Sequence, residues 1–233
     1  MLRPLASALR PGPLSAPRGC PRAAHEACRD SQARGLEGGR PGITEILMNR
    51  PSARNALGNV FVSQLLEALA QLREDRHVRV LIFRSGVKGV FCAASSAVMG
   101  LIETTRGLLP GAGGTQRLPR CLGVALAKEL IFTGRRLSGM QAQALGLVNH
   151  AVAQNEEGNA AYHRALALAQ EILPQAPIAV RLGKLAIDRG IEVDIASGMA
   201  IEGICYAQNI PTRDRLEGMA AFREKRTPKF VGE

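Results

Sequence analysis

The order strand, helix, strand across residues 43–83 constrains the fold of this chain more strongly than any other feature of its sequence. The run ITEILMN at residues 43–49 predicts a strand, and the following Arg50-Pro51 pair ends it because the residue before a proline avoids helical backbone. Apolar side chains recur at a period of about 3.6 residues from Val60 to Leu72 and predict a helix. The run VRVLIF at residues 78–83 predicts a buried strand of a largely parallel sheet. Together these elements indicate the α/β class.

The chain between residues 83 and 103 is too short for this pattern to continue. The segment GVKGVFCA at residues 86–93 runs directly into Ala94-Ser95-Ser96, and Glu103 follows about ten residues after Ala93. Neighbouring parallel strands need a crossover of roughly a dozen or more residues, usually a helix. The sequence provides no such crossover, so we expect an α/β core over residues 43–153 that is internally shortened near residues 93–97.

A carboxylate precedes a glycine-dense turn within residues 99–118, MGLIETTRGLLPGAGGTQRL. Glycines as close together as Gly111, Gly113 and Gly114, here after Pro110, let backbone N–H groups approach a ligand. We expect Glu103 on a strand before this turn, where partial burial would suit it to proton transfer. The alternative is an ordinary strand-to-helix connection with Glu103 as a solvated edge residue. The turn lacks both the Lys-Ser or Lys-Thr of a phosphate loop and the spacing of a dinucleotide-binding turn.

The C-terminal part of the chain is predicted to be mainly helical. A helix over residues 124–132 ends at Gly134, Ser138 caps a short helix over residues 139–145, and residues 147–152 are predicted to form a last strand. Four helices follow over residues 156–173, 177–189, 195–208 and 211–224, with Pro177 and Pro211 in first helical turns. Residues 154–233 therefore form a predicted helical region against the sheet.

Residues 1–42 have the composition of a mitochondrial transit segment. They are rich in Arg, Ala, Pro and Ser, contain few acids and have no Lys. This composition predicts location in the mitochondrial matrix; the alternative is a disordered extension without a targeting role. This segment holds seven Arg and three acids, so +4 of the net charge of +10 would leave with it, which weakens any argument from charge for nucleic-acid binding.

The cysteines and histidines indicate neither a metal site nor a disulfide framework. The five cysteines are odd in number and widely spaced, so we expect free thiols, and the four histidines have no metal-ligand spacing. No apolar stretch approaches the roughly 18 residues that a membrane-spanning helix requires.

Five motifs follow one another along residues 43–233. They are NRPSARNAL at residues 49–57, VRVLIFRSGVKGVFCA at 78–93, MGLIETTRGLLPGAGGTQRLPR at 99–120, AKELIFTGRRLSGMQAQALGLVNHAV at 127–152 and FREKRTPKF at 222–230. In this order they resemble the enoyl-CoA hydratase/isomerase, or crotonase, family. The resemblance implies a spiral of β-β-α turns, here incomplete in the middle, followed by C-terminal helices that assemble homotrimers, often stacked as hexamers.

The chemistry implied by the resemblance is that of a lyase in mitochondrial fatty-acid or branched-chain acyl-CoA metabolism. Two backbone N–H groups polarise the thioester carbonyl, and two glutamates hold and deprotonate a water that adds to the enoyl group. Glu103 matches the second glutamate, with Pro110, Gly111, Gly113 and Gly114 as the active-site loop. Coenzyme A is part of the substrate, so no separate cofactor is expected.

The resemblance also implies a set of contacts with CoA. These residues are Ala53, Ala56, Leu57, Phe91, Ala93, Phe222 and Lys225. Lys225 is a candidate partner for a CoA phosphate, and the alternative is an exposed charge at a helix end.

The sequence departs from the family at the oxyanion site. Ala94-Ser95-Ser96 stands where the family has a G-A-D-L segment, and the G-G-G-x-E segment with the first glutamate is absent. We therefore expect little or no hydratase activity. Two other hypotheses remain. One is RNA binding, which a family member shows but which a first helix without lysine disfavours; the other is a non-catalytic assembly subunit.

Overall fold

The computed structural model describes residues 31–35, 41–56, 58–87 and 98–233. Its strands are β1 (Ser31–Gly35), β2 (Ile43–Met48), β3 (Val80–Ser85), β4 (Val98–Met99) and β5 (Leu137–Ser138). Its helices are α1 (Asn59–Glu74), α2 (Gly114–Leu122), α3 (Val124–Thr133), α4 (Gly139–Ala144), α5 (Ala160–Ile172), α6 (Pro177–Gly190), α7 (Ile195–Asn209) and α8 (Arg213–Glu224), with a 3-10 turn at Glu103–Arg106.

The predicted strand, helix, strand unit is confirmed. β2 and β3 pair in parallel, with Ile43 opposite Val80, and α1 connects them. β1 adds to the other edge of β2 in the antiparallel sense. β1 lies within residues 1–42, the segment with transit-peptide composition, and the removal of that segment stays a prediction.

Two clusters of buried side chains form the core of the described residues. One joins the sheet to α5 through Ile43, Ile82, Leu166 and Ala169. The other joins α3, β5 and α4 through Leu130, Leu137 and Ala142, with Met99 and Leu118 packed against it. The second cluster fixes β4, the glycine turn and α2 relative to one another, and these are the elements around Glu103.

β3 is less buried than its sequence predicts. Ile82 is 7% exposed, but Phe83 is 40% exposed. Within the described residues β3 pairs with β2 alone, so its other edge has no described neighbour. An apolar strand is buried on both faces only where further layers cover it, which explains why the prediction is wrong for Phe83.

The predicted helix ends at Gly134 and Ser138 are confirmed. Gly134 follows α3 in the left-handed conformation, and its N–H bonds to the α3 carbonyls. Ser138 forms a capping box with Gln141: its hydroxyl accepts from the Gln141 N–H, and the Gln141 side chain accepts from the Ser138 N–H. Because both signals are local, the sequence alone identifies them.

The strand predicted over residues 147–152 is wrong. The N–H groups of Leu147 and Val148 donate to the Ala142 carbonyl at 2.8 and 3.3 Å, and the N–H of Ala151 donates to the Gln143 side chain at 3.0 Å. These bonds fold the segment back onto α4, and only Val152 makes an isolated bridge.

Three further helix predictions need correction. α2 was not predicted, because Gly114 begins it and Pro119 lies inside it. α5 begins at Ala160, later than predicted, because side-chain bonds between Asn155 and Asn159 hold a turn before it. Pro211 lies outside α8, since Thr212 is the N-cap residue.

The described residues contain neither a membrane-spanning helix nor a cluster of metal ligands. None of the described helices is long and apolar enough to cross a bilayer. Among residues 31–35, 41–56, 58–87 and 98–233, no group of three His, Cys, Asp or Glu side chains could hold a metal ion. Cys121 and Cys205 are free thiols, whereas Cys20, Cys28 and Cys92 lie outside the described residues.

Candidate active site

A cavity of about 470 Å³ lies beside Glu103. Its walls come from the segment after β4, the glycine turn, α2 and the end of α3. Leucines dominate the walls, namely Leu101, Leu118, Leu130, Leu137 and Leu147. A concave, mostly apolar space with a few polar groups is the usual form of a small-molecule site.

Glu103 contributes a carboxylate oxygen that has no hydrogen-bond partner among the residues that the structure describes. The residue is half-buried and lines the cavity, and its Oε2 atom is buried without a partner among the described atoms. A buried polar atom without a partner is uncommon in proteins, and it indicates either a functional site or an absent ligand. This orphaned oxygen is the strongest chemical feature of the cavity.

The position of Glu103 differs from the prediction. It begins the 3-10 turn instead of lying on a strand, and its carbonyl accepts from the Leu108 N–H at 3.0 Å. The next residue anchors this turn, because the Thr104 hydroxyl donates to the Ile131 carbonyl at 2.6 Å. The end of α3 therefore holds the carboxylate-bearing segment in place.

The glycine turn forms one wall of the cavity, and its role as an active-site loop stays a prediction. Gly111 and Gly114 line the cavity, and Pro110 is fully buried beneath the turn. Gly113 precedes α2 with a φ of 84°, a left-handed conformation that favours glycine. The absence of a side chain on Gly113 also leaves room for the Arg117 side chain, because a Cβ atom on Gly113 would lie 2.6 Å from Nη1 of Arg117.

Two arginines on the cavity wall were not singled out from the sequence. Arg135 donates to Glu129 at 2.7 Å in a partly exposed ion pair. Arg117 donates from Nη2 to the Ala112 carbonyl, and the described carboxylates form no ion pair with it. An isolated arginine has no sequence signal of function until the fold places it on a cavity wall.

Those predicted CoA contacts that the structure describes do not line this cavity. Ala53 and Ala56 lie in the tight turn after β2, where the Ala56 N–H donates to the Ala53 carbonyl at 2.9 Å. Phe222 is 82% exposed on α8, and Lys225 is the exposed C-cap of that helix. Leu57, Phe91 and Ala93 lie outside the described residues. Their contact with CoA stays a prediction.

A second cavity, of about 550 Å³, lies between α8 and the C-terminal tail. Its carboxylates already have partners: Asp214 accepts from the N–H groups of Val231 and Gly232, and Glu217 accepts two bonds from Arg226. The Arg226 guanidinium lowers the pKa of Glu217 to about 2. These groups attach the tail to α8, so we assign them to structure.

Comparison with known proteins supplies the family. The enoyl-CoA hydratase/isomerase family model matches residues 38–95 and 92–233. The mitochondrial enoyl-CoA hydratase domain-containing protein 2 of Bos taurus is 68% identical, with all of both chains covered. The human mitochondrial methylglutaconyl-CoA hydratase is 41% identical over 87% of this chain and 77% of its own. These names confirm the predicted mitochondrial location, whereas the matrix stays a prediction.

Solved structures show the same fold. The enoyl-CoA hydratase from Bacillus anthracis superposes with a TM-score of 0.79 at 32% identity, over 88% of this chain and 100% of that chain. The enoyl-CoA hydratase subunit from Geobacillus kaustophilus HTA426 superposes with a TM-score of 0.79 at 25% identity, over 88% of this chain and 98% of that chain.

The sequence comparisons also show that an internal segment is absent. The alignment with the bovine protein runs over 296 positions, whereas this chain has 233 residues, so several dozen of its positions have no residue here. The two stretches that match the family model meet at residues 92–95, which is where the crossover was missing from the sequence. This chain belongs to the enoyl-CoA hydratase/isomerase family and is a member with an internally shortened core.

Proposed function

We propose that this chain binds acyl-CoA thioesters with the acyl group in the Glu103 cavity, and that Glu103 moves a proton at that group. The observation that carries the proposal is the buried Oε2 of Glu103, which has no partner among the described atoms and belongs to a residue that lines a mainly apolar cavity of about 470 Å³. The leucine walls suit a hydrocarbon chain, and the carboxylate suits acid–base chemistry.

The reaction class is the hydration of an enoyl thioester. Water adds across the double bond, with its hydroxyl going to the β-carbon and a proton to the α-carbon, while negative charge develops on the thioester oxygen. Stabilising that charge normally requires N–H donors, each worth about 10²–10³ in rate. The segments that supply these donors in the family, together with the first glutamate, are absent from the sequence. We therefore propose acyl-CoA binding with weak hydratase turnover, in mitochondrial acyl-CoA metabolism.

Calorimetric binding and hydration assays on the full chain test this proposal. A saturated thioester such as pentanoyl-CoA cannot react and reports binding alone, while loss of enoyl absorbance reports hydration. Glu103→Gln keeps the shape of the side chain but removes its acid–base function, so it should retain binding and lose residual turnover. Glu156→Gln, at an exposed turn residue outside the cavity, is the matched control and should change neither. Failure to bind pentanoyl-CoA, or turnover unaffected by Glu103→Gln, would contradict the proposal.

A second candidate function is that of an assembly subunit. Large apolar side chains are exposed on or beside the C-terminal helices, including Ile191, Ile195 and Phe222 at 62%, 82% and 82% exposure. Surfaces of this kind commonly bind other protein chains. We propose that these helices associate with further copies of the chain, as a trimer or hexamer. Sedimentation velocity should show an oligomer that Phe222→Ser weakens, and a monomer at every concentration would exclude it.

A further inference from the structure

The carboxylate of Glu103 depends on its backbone for its position. Its buried Oε2 accepts no hydrogen bond from the residues that the structure describes, so no described donor orients it. The 3-10 turn that begins at Glu103 therefore sets where this oxygen lies at the cavity wall. Contacts that hold the turn in place also hold the oxygen that the proposed reaction uses.

Thr104, the next residue, ties this turn to the end of α3. Its hydroxyl donates to the Ile131 carbonyl at 2.6 Å, across 27 positions of the chain. That carbonyl also accepts the Gly134 N–H at 3.3 Å, so it has a partner without Thr104. The bond from Thr104 is therefore not needed to end the helix, and its effect is to fix the turn against it.

Close contacts on both sides of the carboxylate seat the turn on the same surface. An added Cβ on Gly134 would lie 2.4 Å from Cγ2 of Thr105. An added Cβ on Gly100 would lie 2.9 Å from the carbonyl oxygen of Arg135. Because closely packed groups transmit small shifts, a displacement of the turn would also displace the carboxylate.

From these contacts we infer that Thr104 is a positioning residue for proton transfer by Glu103. The inference rests on the proposed function and adds one residue to it, whose hydroxyl bond sets the distance between the carboxylate and the acyl group. Thr104 is half-buried and does not line the cavity. It acts through Glu103, so its contribution should be found in turnover and not in binding.

Replacing Thr104 with valine in the full chain measures this contribution. Valine keeps the shape of the side chain, but a methyl carbon stays about 3.3 Å or more from a carbonyl oxygen, whereas the hydroxyl lies at 2.6 Å. The turn must therefore shift by roughly 0.7 Å, the difference between these two distances. Since a misplacement of about 1 Å can cost about 10²-fold in rate, we expect kcat for 2-pentenoyl-CoA to fall about 10- to 100-fold. The Kd for pentanoyl-CoA should change far less, because the leucine walls that hold the hydrocarbon chain do not depend on this bond.

Two further variants identify the hydroxyl as the cause. Thr104→Ser keeps the hydroxyl and should keep kcat near that of the unaltered chain. Thr133→Val is the matched control, because the Thr133 hydroxyl donates to the Glu129 carbonyl at 2.7 Å, a bond within α3. It should change neither kcat nor Kd.

Thermal unfolding shows whether each variant is folded. If Thr104→Val is not, Thr104→Ala takes its place, since alanine removes the hydroxyl without adding a methyl group beside the carbonyl. Retained kcat in Thr104→Ala would then overturn the inference.

The possible failures are distinguishable. Unchanged kcat in folded Thr104→Val, or an equal loss of turnover and of pentanoyl-CoA binding, overturns the inference and leaves the proposed function intact. A loss of kcat in Thr104→Ser as large as in Thr104→Val also overturns it, because the hydroxyl would then not be the cause. An unaltered chain that does not bind pentanoyl-CoA, or that shows no turnover dependent on Glu103, overturns the proposed function and the inference with it.

Discussion

Replacing Gly134 with alanine should destabilise the fold and disturb the candidate active site. Gly134 has a φ of 60°, and an added Cβ would lie 2.4 Å from Cγ2 of Thr105, in the turn that Glu103 begins. Gly146 provides a matched control, since its φ is 78° but no described atom lies within 4 Å of an added Cβ. Both substitutions place alanine in a left-handed backbone conformation, but only the alanine at position 134 collides with another side chain, that of Thr105.

The difference between the variants isolates the collision. Each alanine should lose about 1–2 kcal/mol to left-handed strain, partly offset by a gain of about 0.4–1 kcal/mol because the unfolded chain is stiffer. Thr105 is exposed and can move aside only by giving up the bond from its hydroxyl to the Ile102 carbonyl, so Gly134→Ala should be less stable than Gly146→Ala by about 0.5–1.5 kcal/mol. Because Thr105 must move, Gly134→Ala should also weaken acyl-CoA binding.

Urea unfolding measures the difference in stability between the two variants. If the slope m of the unfolding free energy against urea concentration is the same for both, the shift in the transition midpoint gives this difference. Equal stability of the two variants, or a less stable Gly146→Ala, would contradict the close approach of Thr105 Cγ2 to Gly134.

Three further predictions concern hydrogen bonds elsewhere in the fold. Asp214→Ala should lower the free energy of unfolding by about 3–5 kcal/mol, because it removes a buried carboxylate that accepts two charge-assisted hydrogen bonds. The control is Asp188→Ala, which breaks an exposed ion pair and should lower it by less than about 1 kcal/mol. Urea unfolding measures both losses, and losses of similar size would contradict this prediction. The pKa of Glu217 is lowered from 4.5 to about 2, so its stabilisation is complete above the unfolded pKa and is lost as pH falls through this window. The stability difference between the unaltered chain and Glu217→Gln should therefore shrink from pH 4.5 to about 2, and a constant difference would be inconsistent with the bond to Arg226. Ser138→Ala should lower the free energy of unfolding by about 1 kcal/mol, because it removes the capping box at the start of α4. Thermal unfolding measures this loss, and an unchanged Tm would contradict it.

Local patterns predicted much of this fold correctly. The helical period from Val60 to Leu72 and the β-branched run before Ser85 identified the parallel unit, and Ser138 and Gly134 marked helix ends. These signals depend on neighbouring residues only. The same rules failed for α2, where Pro119 is tolerated inside a helix, and for residues 147–152, where hydrogen bonds back to α4 outweigh strand propensity.

The candidate site was only partly predictable. Glu103 and the glycine turn could be found, because a carboxylate near clustered glycines is a recognisable pattern. Arg117 could not, since its significance depends on a cavity that β4, α2 and α3 form together. Phe222 is 82% exposed and does not line the cavity, so its predicted contact with CoA stays a prediction.

Thermal unfolding of the full chain during titration with pentanoyl-CoA tests whether the shortened core retains an acyl-CoA site. A ligand that binds only the folded state stabilises it by RT ln(1 + [L]/Kd), about 2.7 kcal/mol at a hundredfold excess over Kd. We predict a cooperative transition whose Tm rises steadily with ligand, in the unaltered chain and in Glu103→Gln alike. A Tm that does not change with pentanoyl-CoA concentration would contradict the assignment of the Glu103 cavity as an acyl-CoA site.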